Sequence, residues 1–255
     1  MAVTGPKRDP SPEDSLLEAP LYAMQPDVLT LLPSSAPLSE VELTAGVRAD
    51  LAEVLEEHRH RGRLASHRLT PRNRLFLHGP PGCGKTLTAR ALGRDLGLPV
   101  YVVRFDTLVG SYLGQTSLRI REVFRFAEAT QCVLLIDEID AVGRRRGKIS
   151  DVGELDRVVI SLMQQLDLVR PAGLLVAASN LPEELDKALL RRFDLALEFP
   201  MPTAKQLRAF ADAETARRGL TLSGSVRARL ARATSYAAVQ QGVENAHRRH
   251  VLEGV

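Results

Sequence analysis

Gly79-Pro80-Pro81-Gly82-Cys83-Gly84-Lys85-Thr86 fits the pattern G-x-x-x-x-G-K-[ST]. Glycines let a backbone wrap closely round an anion, because they carry no side chain and tolerate unusual dihedrals. Backbone N–H groups then point inward at phosphates, and a following helix adds its positive N-terminal end. Lys85 is placed to reach the outer phosphates of a triphosphate, and the Thr86 hydroxyl to ligate magnesium. The motif needs a strand before it and a helix after it. The apolar run Arg74–His78 and the helical pattern Leu87–Leu96, stopped by Gly97 and Pro99, supply both.

Working outward, strand-like and helix-like segments alternate. Val100–Phe105 is rich in β-branched residues, and Leu118–Ala129 places Ile120, Val123, Phe124 and Ala127 on one helical face. Cys132–Ile136 and Gly173–Ala178 read as buried strands, Asp156–Leu168 as a helix, and Leu195–Phe199 as the last strand. This order predicts an α/β core with a parallel five-stranded sheet flanked by helices. After Pro200-Met201-Pro202 the pattern is helical only, over Lys205–Arg218, Ser225–Thr234 and Ala237–Leu252. Ahead of the core, Ser39 to Arg63 reads as a leading helix with Ser39 as its cap and Glu42 completing a capping box. Residues 1–37 hold seven prolines and are expected to be a disordered tail, with the core over 38–200 and a helical appendage over 201–255.

Bulk properties narrow the class. The chain has 255 residues, 44% of them hydrophobic and 25% charged, which is ordinary for a globular protein. Its formal net charge is only +3, so no strongly basic or acidic partner is demanded. The two cysteines, Cys83 and Cys132, have no companions at metal-ligand spacing, which argues against a disulfide or zinc framework and for a reducing compartment. No segment approaches the ~20 apolar residues of a membrane span, and the N-terminus has no apolar signal core, so a cytoplasmic, non-membrane protein is expected.

Three further clusters carry chemistry. The strand Cys132–Ile136 ends abruptly in Asp137-Glu138, and paired acids at a buried strand end need a role. Asp137 can hold magnesium beside Thr86, and Glu138 can polarise the water that attacks a γ-phosphate, with Asp140 adding charge nearby. Asn180, just past the strand Gly173–Ala178, stands where ligand groups gather in a parallel sheet and can orient that water. Arg191 and Arg192, ahead of the last strand, admit two readings: solvated surface charges, or fingers that reach the γ-phosphate of a neighbouring subunit.

Taken together these residues resemble the AAA+ ATPases, and more narrowly the AAA subgroup, from about Arg48 to the C-terminus. Gly79–Thr86 resembles Walker A, with Leu87 continuing the nucleotide contact, and Cys132–Glu138 resembles Walker B. Asn180 matches sensor 1, Leu185–Asp194 is similar to the second region of homology, and the terminal helices are similar to the lid. The resemblance also implies that Tyr112-Leu113-Gly114 is an aromatic pore loop of a hexameric ring, and that Glu154 and Arg157 sit near a subunit boundary. Two departures stand out. Ser235-Tyr236-Ala237-Ala238-Val239 occupies the place of S-G-A-D-L at the start of the lid helix that faces the nucleotide, and Gln115 replaces an acid.

The expected function is therefore magnesium-dependent hydrolysis of ATP to ADP and phosphate by a homo-oligomeric ring that remodels or threads a protein. A partner in trans, with a protease as one candidate, is expected to recruit substrate, because the space before the core holds only a tail and a helix. The alternative is an AAA+ ATPase that remodels or loads a nucleic-acid complex, allowed by the basic pI and the arginines of the terminal helices.

Overall fold

A computed structural model describes residues 28–104, 115–141, 152–221 and 223–253. Six strands form one sheet: β1 (Leu29–Leu32), β2 (Arg74–His78), β3 (Val100–Val103), β4 (Val133–Ile136), β5 (Leu174–Ser179) and β6 (Leu195–Glu198). Their spatial order is β1-β3-β4-β5-β2-β6. The last five run parallel, while β1 pairs antiparallel with β3, Leu29 opposite Val103 and Leu32 opposite Val100. Among the described residues the helices are α1 (Ala45–Arg59), α2 (Arg61–Ser66), α3 (Lys85–Leu96), α4 (Gln115–Ala129), α5 (Val152–Leu168), α6 (Lys187–Leu190), α7 (Ala204–Arg217), α8 (Gly224–Leu230) and α9 (Tyr236–Glu253). None of them is long and apolar enough to cross a membrane.

The sheet is covered on both faces, which is why β4 and β5 read as unbroken apolar runs and are buried throughout. Strand alternation sorts the side chains. Phe76, Leu134, Ile136 and Leu175 face one core with Ile120, Val123 and Phe124 of α4 and Leu162 and Leu166 of α5. Leu75, Leu77, Leu135 and Val176 face the other with Leu51 and Val54 of α1 and Leu92 of α3. A third, smaller core of Leu207, Ala211, Leu230, Val239 and Val243 closes the C-terminal helices on themselves.

Two sequence expectations change. The sheet has six strands rather than five, because Leu29–Leu32, placed in the disordered tail, adds an edge strand. Proline density excluded a helix there, but Val28–Leu32 lies between Pro26 and Pro33 and leaves the intervening amides free for an edge ladder. The leading helix also starts later. Leu38–Glu40 forms a single 3₁₀ turn, and α1 is capped by Thr44, whose hydroxyl accepts from Val47 N at 3.3 Å. Ser39 is not the cap, and Glu42 is turned to other use. The strap before α1 is tied to α3: Arg90 and Arg94 donate to the carbonyls of Pro33, Ser34 and Ser35, and Leu38 N donates to Asp95.

Candidate active site

Three strand ends converge on one cavity. The loop after β2 carries Gly79–Gly84 into α3, the turn after β4 carries Asp137 and Glu138, and the residue after β5 is Asn180. In the sheet β5 lies between β4 and β2, so these carboxyl ends are successive neighbours. Ligand groups gather at this edge of a parallel sheet. A cavity of about 340 Å³ opens here, lined by Pro81 to Leu87, Asp137, Glu138 and Asn180. Its other walls are Val41 and Glu42 from the strap before α1, Phe210 of α7, and Tyr236, Ala237 and Gln240 of α9.

The loop's shape is enforced by its glycines. Gly79 has φ +138°, and a Cβ there would stand 2.1 Å from the Phe199 carbonyl oxygen, so only glycine fits between the loop and the end of β6. Gly79 and Pro80 do not line the cavity. Their carbonyls instead accept from the Lys85 ammonium, at 2.6 and 2.9 Å. The third Lys85 donor goes to Asn180 Oδ1 at 2.8 Å, so all three are engaged by the protein. Lys85 is buried, and that burial holds its pKa below the ordinary lysine range against the opposing pull of Cys83, Asp137 and Asp140. Burial likewise pushes the Cys83 thiol up, and the structure leaves both Cys83 and Cys132 as free, buried thiols.

Asp137 joins the two motifs. Its carboxylate accepts from Thr86 Oγ1 at 2.7 Å and from Glu138 N at 3.0 Å. Glu138 is exposed to the cavity with φ +53°, a left-handed backbone that a non-glycine residue adopts only at a cost of order 1–3 kcal/mol. Strain of this kind collects at sites where a side chain must be aimed. Asp140 is buried, and its Oδ1 accepts from Asn180 N at 3.1 Å. The turn after β4 and the turn after β5 are therefore fixed to each other through a side chain that the sequence marked only as nearby charge.

The C-terminal helices meet the phosphate loop through backbone. Ala237 N donates to the Gly82 carbonyl at 3.2 Å, and a Cβ on Gly82 would come within 2.8 Å of Ser235 Oγ. Tyr236 stacks edge-on to Phe210, with ring centroids 5.1 Å apart, and burial, with Glu42 and Cys83 nearby, holds its phenol above the ordinary tyrosine range. The place of Val41, Glu42, Phe210 and Gln240 in the cavity wall was not legible in the sequence, because no local pattern joins residues so far apart in the chain.

Other expected residues lie elsewhere. Arg191 and Arg192 do not line the cavity of their own chain. Arg192 is paired with Asp167 on α5, Nη2 to Oδ2 at 2.9 Å, whereas Arg191 is exposed and free of any partner among the described residues. Tyr112, Leu113 and Gly114 lie outside the described residues, as do the side chains of Glu154 and Arg157. The arginines of the C-terminal helices are in part already spent: Arg217 and Arg218 both pair with the buried Glu214.

Comparison with known proteins bears on the whole arrangement. The model of the ATPase family associated with various cellular activities (AAA) matches residues 75–201. The uncharacterized AAA family ATPase y4kL of Sinorhizobium fredii is 41% identical over 172 residues, covering 68% of this chain and 52% of that protein. The ATP-dependent zinc metalloprotease FtsH of Acidothermus cellulolyticus is 39% identical over 175 residues, covering 65% and 26%. The proteasome-activating nucleotidase of Thermococcus onnurineus is 38% identical over 144 residues, covering 54% and 36%. The chain thus spans about half the length of the first of these relatives and less of the others.

Proposed function

We propose, from the premise that this chain belongs to the AAA+ ATPase superfamily, that it hydrolyses ATP to ADP and phosphate and couples the cycle to remodelling or threading of a protein. The observation that carries the reading is the meeting of Thr86, Lys85, Asp137, Glu138 and Asn180 at one cavity, through the bonds Thr86–Asp137 and Lys85–Asn180.

The roles follow from the donors. The loop amides and Lys85 hold the phosphates, and a terminal phosphate competes with the Gly79 and Pro80 carbonyls and with Asn180 for the Lys85 ammonium. Release of Asn180 frees its amide to orient a water. Glu138, exposed to the cavity and without a side-chain partner among the described residues, takes a proton from that water. The Thr86 hydroxyl and Asp137 carboxylate fit magnesium, which needs few protein oxygens because it keeps several waters. Among the described residues no group of three or more His, Cys, Asp or Glu forms a protein cage for a metal. When bound, magnesium neutralises charge on the β- and γ-phosphate oxygens.

In a ring of copies, Arg191 is the better finger, because Arg192 is held by Asp167. Tyr112-Leu113-Gly114 is the segment that grips the polypeptide, and a partner such as a protease supplies or receives it. The similarity to a zinc metalloprotease and a proteasome-activating nucleotidase supports this choice of substrate class.

Glu138→Gln tests the proposal. It keeps the shape and removes the base, so turnover falls by ~10²-fold or more while ATP binding persists. Undiminished hydrolysis with a well-folded variant overturns the assignment. The retained-ATP form is also the state in which to identify copurifying substrate.

A further inference from the structure

A strongly basic segment lies just before β2 and takes no part in the motifs above. Residues 58–74 contain six arginines, three histidines and no acid, on a chain whose formal net charge is only +3. The fold uses some of these cations. Arg72 is clamped by Glu57 and Glu53, with Nη2–Oε distances of 2.6 and 2.8 Å, and its N–H also donates to Glu57. Arg74 is buried and donates to the Val169 carbonyl, and exposed Arg59 pairs with Glu56. Three remain: Arg61, Arg63 and Arg68, all exposed and without an acidic partner among the described residues. Arg61 meets only the neutral Gln131 amide, once that amide is turned to accept.

The position of Arg68 is a second observation. It has φ +60°, a left-handed conformation that glycine adopts freely and an arginine does not. It closes α2 as the residue after a helix end, with Arg68 N donating to Ala65 O and Leu69 N to Leu64 O. Among the described residues its side chain makes no hydrogen bond or ion pair that offsets the strain. The end of the segment is tied to α1, since His58 Nε2 bonds the Arg72 carbonyl at 2.8 Å and the Arg72 guanidinium donates to Glu57. Three exposed arginines thus fall within the eight residues from 61 to 68, next to an anchored loop.

We infer that Arg61, Arg63 and Arg68 form a docking surface for the phosphate backbone of double-stranded nucleic acid. Guanidinium forks suit phosphate, and arginine is the segment's only strong cation. The segment has no Phe, Tyr or Trp to stack on splayed bases, which favours a duplex over a single strand. Its one exposed large apolar side chain, Leu69, is too little to anchor a protein interface, which is built round a buried hydrophobic centre. The inference is independent of the ATPase reading, because none of these arginines belongs to the nucleotide cavity.

The test is fluorescence anisotropy of a short labelled DNA duplex titrated with the full chain over a range of salt. The expected result is binding whose log affinity falls linearly with log salt. Arg61→Ala/Arg63→Ala/Arg68→Ala flattens that slope by about three and weakens binding by roughly tenfold or more at low salt. The corresponding triple lysine variant keeps the slope. Arg68→Gly relieves the left-handed strain, so it raises the unfolding midpoint while lowering the slope by about one. Absence of duplex binding at low salt overturns the inference, and so does a triple alanine variant with the parent's affinity and slope. Equal binding of polyglutamate, lost in the same variant, overturns it in favour of an acidic protein partner.

Discussion

Asp140 shows how much of this site depends on one hydrogen bond. Its buried carboxylate accepts from Asn180 N and so ties the turn bearing Glu138 to the turn bearing Asn180. An acceptor is what this position requires. Asp140→Asn keeps an oxygen there and is expected to retain most activity, whereas Asp140→Ala leaves Asn180 N unpaired at a cost of about 1–3 kcal/mol. If that cost falls on the transition state, kcat drops by roughly tenfold or more with KM little changed. Steady-state kinetics of the two variants check this; equal losses in both point to the charge instead of the bond. At this scale the sequence was partly legible. Gly79–Thr86 and Asp137–Glu138 are local patterns whose chemistry can be read from adjacent residues. The Asp140–Asn180 link spans forty positions, and nothing local announces it.

At the scale of elements, the positions of α1 and the strap before it decide whether the cavity has a wall. α1 is fixed to the loop before β2 by Glu57 and Arg72. Burial pushes the Glu57 carboxyl up, but the Arg72 guanidinium and backbone N–H outweigh it and hold the pKa below the usual carboxylate range. The same contacts push Arg72 further up. A carboxyl depressed on folding stabilises the protein above its unfolded pKa, and that contribution is lost as pH falls through the depressed value. Glu57→Gln is therefore expected to cost about 1–3 kcal/mol near pH 7 and progressively less below about pH 4, measured by urea unfolding. A constant difference across that window contradicts the expectation. Element type was readable for β2, β4 and β5 because burial on both faces gives continuous apolar runs. The Leu29–Leu32 strand was not, since its partner Val100–Val103 lies some seventy residues on. Nor was the true cap of α1: the local pattern pointed to Ser39 with Glu42, whereas Thr44 caps the helix and Leu38 is tied to Asp95 ahead of it.

For the whole molecule, the separation of Arg191 from its own cavity is the central fact. A chain that carries its proposed base, its proposed water-orienting amide and its glycine-rich loop in one place, but leaves this arginine outside, is the half-site expected if a second copy completes it. Arg191→Ala is expected to fold and bind ATP as the parent does while losing ~10³-fold or more in kcat. Mixing it with a Glu138→Gln chain should restore part of the activity, because each then supplies what the other lacks at alternate junctions. Failure of the mixture to recover turnover, with mixed assemblies present, argues against a shared site. Charge distribution at this scale also differed from the sequence impression. The arginines of the C-terminal helices drew attention first, yet Glu214 neutralises two of them.

The bond from Ala237 N to the Gly82 carbonyl joins the C-terminal helices to the phosphate loop without using a side chain. Every residue except proline supplies that donor, and glycine at position 82 leaves the acceptor open. The side chain at 237 can therefore change while the docking register persists, whereas Val239 is fixed by the core it fills. A tyrosine stands at position 236 without disturbing the contact, and any movement of the loop that carries Gly82 pulls on the helices through it.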